Sequence, residues 1–237
     1  MKDLQQIIDK GKRIVFFGGA GVSTESGIPD FRSTDGLYNQ KYDYPPEYIL
    51  SATFFALHTE EFYRFYRDKM LCLDAKPNAA HLWLAELEKK GRLTGIVTQN
   101  IDGLHRLAGN RLVFELHGTV HRNTCLHCGK QFSAPWILES EGVPHCSCGG
   151  VVKPDVVLYE ESLDEATMRG AMRVISQADV MIVAGTSLTV WPAAGFLDYF
   201  SGDELVLINR DATPADHKAT LVIHDSVGKV LKGIEIR

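Results

Sequence analysis

Two stretches of the sequence carry side chains suited to acid–base chemistry and to the binding of a polar ligand. TQNIDGLH supplies Gln99, Asn100 and Asp102, and ELHG supplies His117. Histidine can act as a general base near neutral pH, while uncharged Gln99 and Asn100 can orient hydroxyl groups without titrating. Because each stretch follows a predicted strand, we interpret His117 as a functional histidine rather than a structural one.

A glycine-rich loop opens the stretch FFGGAGVSTESGIPDFRS near the N-terminus. Gly19 and Gly21 predict close approach of the backbone to a ligand, with free N–H groups holding a pyrophosphate. A dehydrogenase fingerprint has a third glycine where Thr24 stands, and an acidic ribose reader about 20 residues further on. Here the loop continues instead into Phe31, an apolar face, and Arg32, a fork for phosphate or carboxylate. A metabolic dehydrogenase is therefore disfavoured.

Four of the five cysteines form a C-x2-C pair and a C-x-C pair, namely Cys125, Cys128, Cys146 and Cys148. Two close pairs predict one tetrahedral zinc, as in a zinc ribbon, and the alternative is a redox pair. The short C-x-C spacing leaves open whether His127 or His145 replaces one cysteine. Four protein ligands leave no position for a substrate, so this zinc is expected to be structural.

Five apolar runs predict strands that are buried on both faces, because each is continuous rather than alternating. They are residues 13–17, 95–98, 112–116, 180–184 and 204–208. Helical patterns at 78–91 and 163–177 lie between some of them, which predicts an α/β fold with a Rossmann-like parallel sheet. Ligands bind beyond the carboxyl ends of such strands, and the polar motifs GGAGVS, QNIDG, HG, GTSL and NRD all lie there. The plainer interpretation is that they are ordinary polar loops.

Two segments do not fit the sheet. Residues 38–72 carry aromatic side chains at helical spacing, with FFALHTEEFYRFYRDKM predicted as helix and most of its aromatics as core. Residues 121–150 hold the paired cysteines and show little periodicity. We therefore predict a large Rossmann-like domain and a small discontinuous domain with the active site between them. The large domain comprises 1–37, 76–120 and 156–237, and the small one combines a helical insert, 38–75, with a zinc-ribbon insert, 121–155.

The composition is that of an ordinary globular protein, with 45% hydrophobic and 23% charged residues among 237. A net charge of −5 without a long basic run argues against a nucleic-acid surface. Residues 180–197 are uncharged, but glycine, serine, threonine and proline interrupt them, which favours a strand plus a loop over a membrane span. With no apolar signal at the N-terminus, we expect a cytoplasmic protein.

The motifs, taken in order, resemble those of the sirtuins, the NAD-dependent protein lysine deacylases. They are GAGVSTESGIPDFRS, TQNIDGLH, LHG, the cysteine pairs, KPDVVLYEE, GTSL and INRD, and they cover nearly the whole chain. The likeness is greatest to bacterial sirtuins of the deacetylase type. It implies NAD-dependent removal of acetyl groups from lysine side chains of proteins or peptides, giving free lysine, nicotinamide and O-acetyl-ADP-ribose.

The resemblance also implies a role for each motif. His117 is expected to deprotonate a ribose hydroxyl, aided by Gln99, Asn100 and Asp102, with Asp102 accepting from the nicotinamide carboxamide. NAD is expected to contact Gly19, Ala20, Gly21, Ser23, Thr24, Phe31, Arg32, Gln99, Asn100, Ile101, Asp102, Gly185, Thr186, Ser187, Asn209 and Val227. The substrate peptide is expected to pair with Val156, Val157, Leu158 and Tyr159 by strand addition, although an ordinary sheet strand would show the same pattern.

The chain departs from some relatives in the segment EFYRFYRDK. Relatives that remove succinyl or malonyl groups read the acyl carboxylate with a Tyr-x-x-Arg pair. Here Tyr63 is followed three places later by Tyr66, and Arg67 lies one position beyond. This departure favours acetyl and longer neutral acyl groups.

Two rival functions remain at the level of sequence. One is an NAD-dependent protein ADP-ribosyltransferase on the same fold, which transfer of label from NAD to protein would reveal. Intact Asn100, Asp102 and His117 favour deacylation. The other is a zinc module that binds protein or nucleic acid without catalysis, which predicts binding without nicotinamide release.

Overall fold

The computed structural model describes residues 3–31, 36 and 44–237. Within them the strands are β1 Ile14–Gly18, β2 Leu93–Thr98, β3 Val113–Glu115, β4 Gly118–Cys125, β5 Gln131–Ser133, β6 Val152–Val156, β7 Val180–Ala184, β8 Glu204–Ile208 and β9 Leu221–Ile223. Six of them form a parallel sheet of order β3-β2-β1-β7-β8-β9. Because β2 and β7 lie on opposite sides of β1, the order reverses there, and such a reversal is where α/β sheets bind ligands.

The described residues form nine α-helices. They are α1 Leu4–Lys10, α2 Pro46–Ile49, α3 Ala52–Leu57, α4 Thr59–Phe65, α5 Ala79–Lys89, α6 Leu104–Leu107, α7 Ala134–Glu139, α8 Glu165–Ser176 and α9 Val227–Lys232. Successive β1 side chains point to opposite faces. Ile14 and Phe16 therefore join a core with α1, α5 and α9, while Val15 and Phe17 join one with α8.

The α/β prediction is confirmed, and each predicted strand is present with its ends shifted by at most two residues. The helix predicted at 78–91 is present as α5, which begins after Asn78, whose side chain accepts from Ala80 N at 2.9 Å, and ends before Gly91, whose φ is 71°. The uncharged stretch 180–197 forms β7 and a loop with a short helical turn, as expected. Among the described elements, α1, α6, α7, α9, β4, β5 and β9 were not predicted.

The prediction of one helix over the stretch FFALHTEEFYRFYRDKM is wrong. The segment divides at His58, whose φ of −133° ends α3 before α4 begins. The Thr59 hydroxyl donates to the Phe55 carbonyl at 2.7 Å, a local bond that competes with the helical ladder. The expected role of the aromatics is confirmed, because Phe54, Phe62 and their neighbours are buried in a third core.

A second, antiparallel sheet of order β5-β4-β6 carries the paired cysteines. Its inner face packs on the aromatic core, and the Tyr63 hydroxyl donates to the Val152 carbonyl. The division into two domains at the predicted boundaries stays a prediction. No helix in the described part of the chain is long and apolar enough to cross a membrane.

Candidate active site

A cavity of about 400 Å³ lies where the loops after β1, β2, β7 and β8 face the end of β6. Most of the predicted site residues line it: Gly19, Ala20, Gly21, Ser23, Phe31, Gln99, Asn100, Ile101, Asp102, His117, Val156, Val157, Leu158, Tyr159, Gly185, Thr186, Ser187, Asn209 and Val227. Among the described residues, Thr24 is not part of this lining. Arg32 lies outside the described residues.

The loop after β2 and the glycine loop are joined by a buried hydrogen-bond cluster. The Ser23 hydroxyl donates to Asp102 Oδ2 at 2.6 Å and accepts from Asn100 Nδ2 at 3.0 Å. Asp102 Oδ1 accepts from the backbone of Leu104 at 2.8 Å. The carboxylate is therefore held from two directions beside the cavity, where it can accept a hydrogen bond from an amide-bearing ligand.

His117 lies directly before β4, and its ring lines the cavity. Its Nδ1 is 2.9 Å from the Gln99 carbonyl oxygen. Because a carbonyl can only accept, Nδ1 carries the proton, and the lone pair of the neutral ring lies at Nε2. Burial lowers the pKa of His117, although the bond to Gln99 opposes this shift. The ring is therefore set up as a neutral base at Nε2.

The glycines after β1 also have a packing role that was not predicted. The amide of Gly19 donates to Ala184 O at 3.1 Å, and that of Gly21 donates to Gly185 O at 2.8 Å. These two N–H groups are not free to hold a pyrophosphate, which corrects that part of the prediction. A Cβ on Gly21 would lie 2.7 Å from Gly185 Cα. The glycines let two strand-end loops pack backbone to backbone, and this packing shapes the cavity.

Arg210 is a cavity residue that sequence reasoning missed. Its guanidinium donates to the Thr24 hydroxyl at 3.0 Å, which places a cation beside the glycine loop. Thr24 is thereby connected to the lining although it is not part of it. The signal was present in the motif INRD, where only Asn209 was assigned a role. A fixed cation there suits a ligand phosphate.

The predicted peptide segment follows the outer strand of the small sheet. One edge of β6 pairs with β4, so the interpretation as an ordinary sheet strand holds for that edge. On the other side, Lys153 Nζ donates to Val156 O at 3.1 Å, and Leu158 N donates to Glu161 Oε2 at 2.8 Å. Lys153 and Glu161 also form an ion pair at 3.1 Å. A peptide that paired with these backbone groups would displace both side chains.

The segment that could read an acyl carboxylate is otherwise engaged. The Arg67 guanidinium donates to Ile137 O at 3.0 Å, Ser140 Oγ at 2.8 Å and Gly142 O at 2.7 Å. Arg67 is not among the described residues that line the cavity, whereas Tyr66 is. Burial raises the pKa of Tyr66, so its phenol is neutral at any ordinary pH.

The four paired cysteines converge as a metal site would require. Their Sγ atoms all lie within 4.8 Å of one another, with Cys125 and Cys148 at 3.5 Å and Cys128 and Cys146 at 3.6 Å. Zn–S bonds of about 2.3 Å place the sulfurs of a tetrahedron about 3.8 Å apart. In the described residues this cluster contains neither His127 nor His145. The four thiols therefore fit one structural zinc.

Comparison with known proteins agrees with this geometry. The model of the Sir2 family matches residues 19–192. A Clostridium acetobutylicum protein described as NAD-dependent protein deacetylase is 57% identical in an alignment 238 positions long, which covers 99% of this chain and 97% of that protein. A Clostridium perfringens protein of the same description is 58% identical in an alignment 232 positions long, which covers 96% of this chain and 95% of that one.

Solved structures show the same fold over the same length. One, described as a complex of Sir2, a p53 peptide and NAD+, is 39% identical with a TM-score of 0.86, over 98% of this chain and 97% of that one. Another, described as a Sir2 with deacetylated p53 peptide and 3'-O-acetyl-ADP-ribose, is 40% identical with a TM-score of 0.89. The match covers 96% of this chain and 94% of that one. The chain therefore belongs to the Sir2 family, the sirtuins.

Proposed function

We propose that this chain is an NAD-dependent protein deacetylase that yields free lysine, nicotinamide and O-acetyl-ADP-ribose. Relatives at 57% and 58% identity carry the description NAD-dependent protein deacetylase. The observation that carries the proposal in this chain is the shared cavity. It brings His117 Nε2, a fixed Asp102 and the predicted peptide segment to one place.

Each polar group then has a task in the proposed reaction. Bound NAD supplies the reactive ribose and the hydroxyl that finally carries the acetyl group. His117 accepts a proton from a ribose hydroxyl at Nε2, and Asp102 accepts a hydrogen bond from the nicotinamide carboxamide. Gln99 Nε2 donates to Thr186 Oγ1 at 3.0 Å, a contact that holds an uncharged side chain between the two halves of the cavity. The other predicted contacts lie along the same lining, and Arg210 joins them.

The acyl group is proposed to be neutral, with acetyl as the reference substrate. Arg67 is committed to three acceptors of the small sheet region and is not offered to the cavity. Lys69 does line the cavity, but its ammonium lies 3.0 Å from the Asp68 carboxylate. Apart from Arg210, which lies beside the glycine loop, the described lining offers an acyl carboxylate no cation outside an ion pair to replace its lost hydration.

We further propose that the peptide lies along Val156, Val157, Leu158 and Tyr159, and that zinc holds the small sheet through Cys125, Cys128, Cys146 and Cys148. Support comes from the place of the first set in the lining and from the sulfur geometry of the second. The enzyme is proposed to act in the cytoplasm on acetylated proteins, without nucleic acid. The net charge of −5 supports the last point.

The test follows peptide and nicotinamide together. Purified protein is incubated with an acetyl-lysine peptide, with and without NAD, and both are quantified by mass spectrometry. We expect acetyl loss only with NAD, and loss of activity in His117→Ala with an unchanged thermal unfolding curve. Release of nicotinamide with transfer of labelled ADP-ribose to protein, and with the acetyl group intact, would establish the rival ADP-ribosyltransferase instead.

A further inference from the structure

His121 contacts the loop after β2, residues 99–103, from outside the cavity. Its Nε2 lies 2.8 Å from the Asp102 carbonyl oxygen, and since a carbonyl only accepts, Nε2 is the donor. The ring is exposed, lies in β4, and is not part of the described cavity lining. Beside it, Val120 N donates to Ile101 O at 3.0 Å. Two bonds therefore fasten the start of β4 to consecutive carbonyls of the loop.

The next residue of the loop is adapted to this contact. Gly103 has φ of 72°, and a Cβ there would lie 2.6 Å from His121 Cδ2 and 2.7 Å from Nε2. The imidazole thus packs directly on the glycine. The planar peptide group that precedes a glycine can change its orientation easily through the adjacent ψ and φ angles, because glycine adopts many backbone conformations. The Asp102–Gly103 peptide is the point where this loop could rotate, and His121 holds its carbonyl.

The orientation of that peptide governs the carboxylate of Asp102. Its side-chain oxygens accept from Ser23 Oγ at 2.6 Å and from Leu104 N at 2.8 Å. A rotation of the following peptide would move Leu104 N away from Oδ1 and turn the carboxylate from its cavity-facing position. We propose that His121 is a positioning residue that fixes Asp102 for nicotinamide, through an imidazole N–H donated to the Asp102 carbonyl. This inference rests on the proposed function, in which Asp102 contacts nicotinamide.

The experiment compares His121→Ala with His121→Gln, whose Nε2 can replace the imidazole donor. His217→Ala is the control, because His217 is also exposed and is outside the cavity lining in the described residues. The proposed function implies that nicotinamide, a product, can return to its pocket and inhibit deacetylation. We expect His121→Ala to raise the half-inhibiting nicotinamide concentration about five-fold, the value of one hydrogen bond. The KM for the acetyl peptide, thermal unfolding and zinc content should stay unchanged, and Gln should restore inhibition to within about two-fold.

Amide hydrogen exchange provides a readout that does not depend on turnover. The Leu104 amide should exchange about five-fold faster in the alanine variant, and near the original rate in the glutamine variant. Unchanged inhibition and exchange in His121→Ala would overturn the inference, and so would a glutamine variant that behaves like alanine. If the unaltered protein neither removes acetyl nor releases nicotinamide, the proposed function fails, while exchange still decides whether His121 holds the loop.

Discussion

At the scale of residues, the chemistry depends on which nitrogen of His117 carries the proton. The Gln99 carbonyl fixes the proton at Nδ1 and leaves Nε2 as the base. The sequence could predict a candidate base at this position, because His117 follows a strand and α/β sheets bind ligands at the carboxyl ends of their strands. It could not predict the tautomer, which depends on a carbonyl 18 residues away along the chain.

Burial of His117 predicts the pH dependence of deacetylation. Its pKa is lowered because burial disfavours the charged ring, so the base form persists below the pH at which a free imidazole protonates. We expect kcat/KM to be level through neutral pH and to fall on acidification, with a midpoint below about 6.5. A pH profile from 5 to 9 checks this, and a midpoint above that of free imidazole would contradict it.

Ser23 is neutral, but we expect its replacement to reduce kcat/KM as strongly as the loss of a charged site residue. Ser23→Ala removes the donor to Asp102 and the acceptor of Asn100 together. Loss of two bonds of about 1 kcal/mol each predicts a fall in kcat/KM of roughly 10- to 100-fold. Steady-state kinetics measure it, with Ser176→Ala, on the exposed side of α8, as the matched control. A variant within two-fold of the control would show that the cluster does not position Asp102.

At the scale of elements, β4 joins three parts of the site. His117 precedes it, His121 lies within it, and Cys125 ends it. This strand could not be predicted from the sequence, because the run GTVHRNTC is mostly polar. Antiparallel pairing with β5 and β6 on either side, together with the cysteine cluster, makes it a strand. Tertiary context of this kind overrides local propensity.

Zinc is expected to stabilise this element. Cys128→Ala removes one of the four thiols and should reduce bound zinc from one per chain to well below that. If the loss of this ligand costs roughly 3–5 kcal/mol of stability, the Tm falls by about 6–20 °C, at about 2–4 °C per kcal/mol for a chain of this size. Metal analysis and thermal unfolding check both, with Cys72→Ala, a cysteine outside the cluster, as control. Full zinc content in Cys128→Ala would point to a different ligand set.

At the scale of the whole molecule, the parallel sheet was predictable because its central strands are buried on both faces. β1 and β7 are entirely buried, and such strands read as unbroken apolar runs. β9 was not predictable, since it has three residues that are each half-buried. The cavity itself was predictable only through its motifs. Contacts between distant parts of the chain bring Arg210 to the cavity and hold Arg67 away from it.

Two buried histidines are expected to make the folded molecule less stable in acid. His81 and His105 pack with ring centroids 4.6 Å apart, and three of their ring nitrogens have no partner among the described residues. Burial lowers the pKa of His81 to about 4, and that of His105 falls well below its ordinary value. Both rings are therefore neutral when folded, whereas in the unfolded chain they protonate near pH 6.5.

The pH dependence of folding stability follows from these lowered pKa values. Below about pH 6.5 the unfolded chain binds more protons than the folded chain. The contribution of these two histidines to the free energy of unfolding is therefore greatest above that pH and declines as the pH falls toward about 4. Urea unfolding between pH 7.5 and 5 measures the decline. His105→Phe removes one ionisable ring and should flatten the curve, with His217→Ala as the surface control. An unchanged slope in His105→Phe would mean that other groups cause the acid sensitivity.

The central claim is that one catalytic cycle couples acetyl removal to NAD cleavage in this cavity. The most direct measurement is the stoichiometry of products in a single time course, with deacetylated peptide, nicotinamide and O-acetyl-ADP-ribose quantified by mass spectrometry. We expect equal amounts of all three products, and none of them with His117→Ala. Free acetate in place of O-acetyl-ADP-ribose, or nicotinamide released without loss of acetyl, would contradict it.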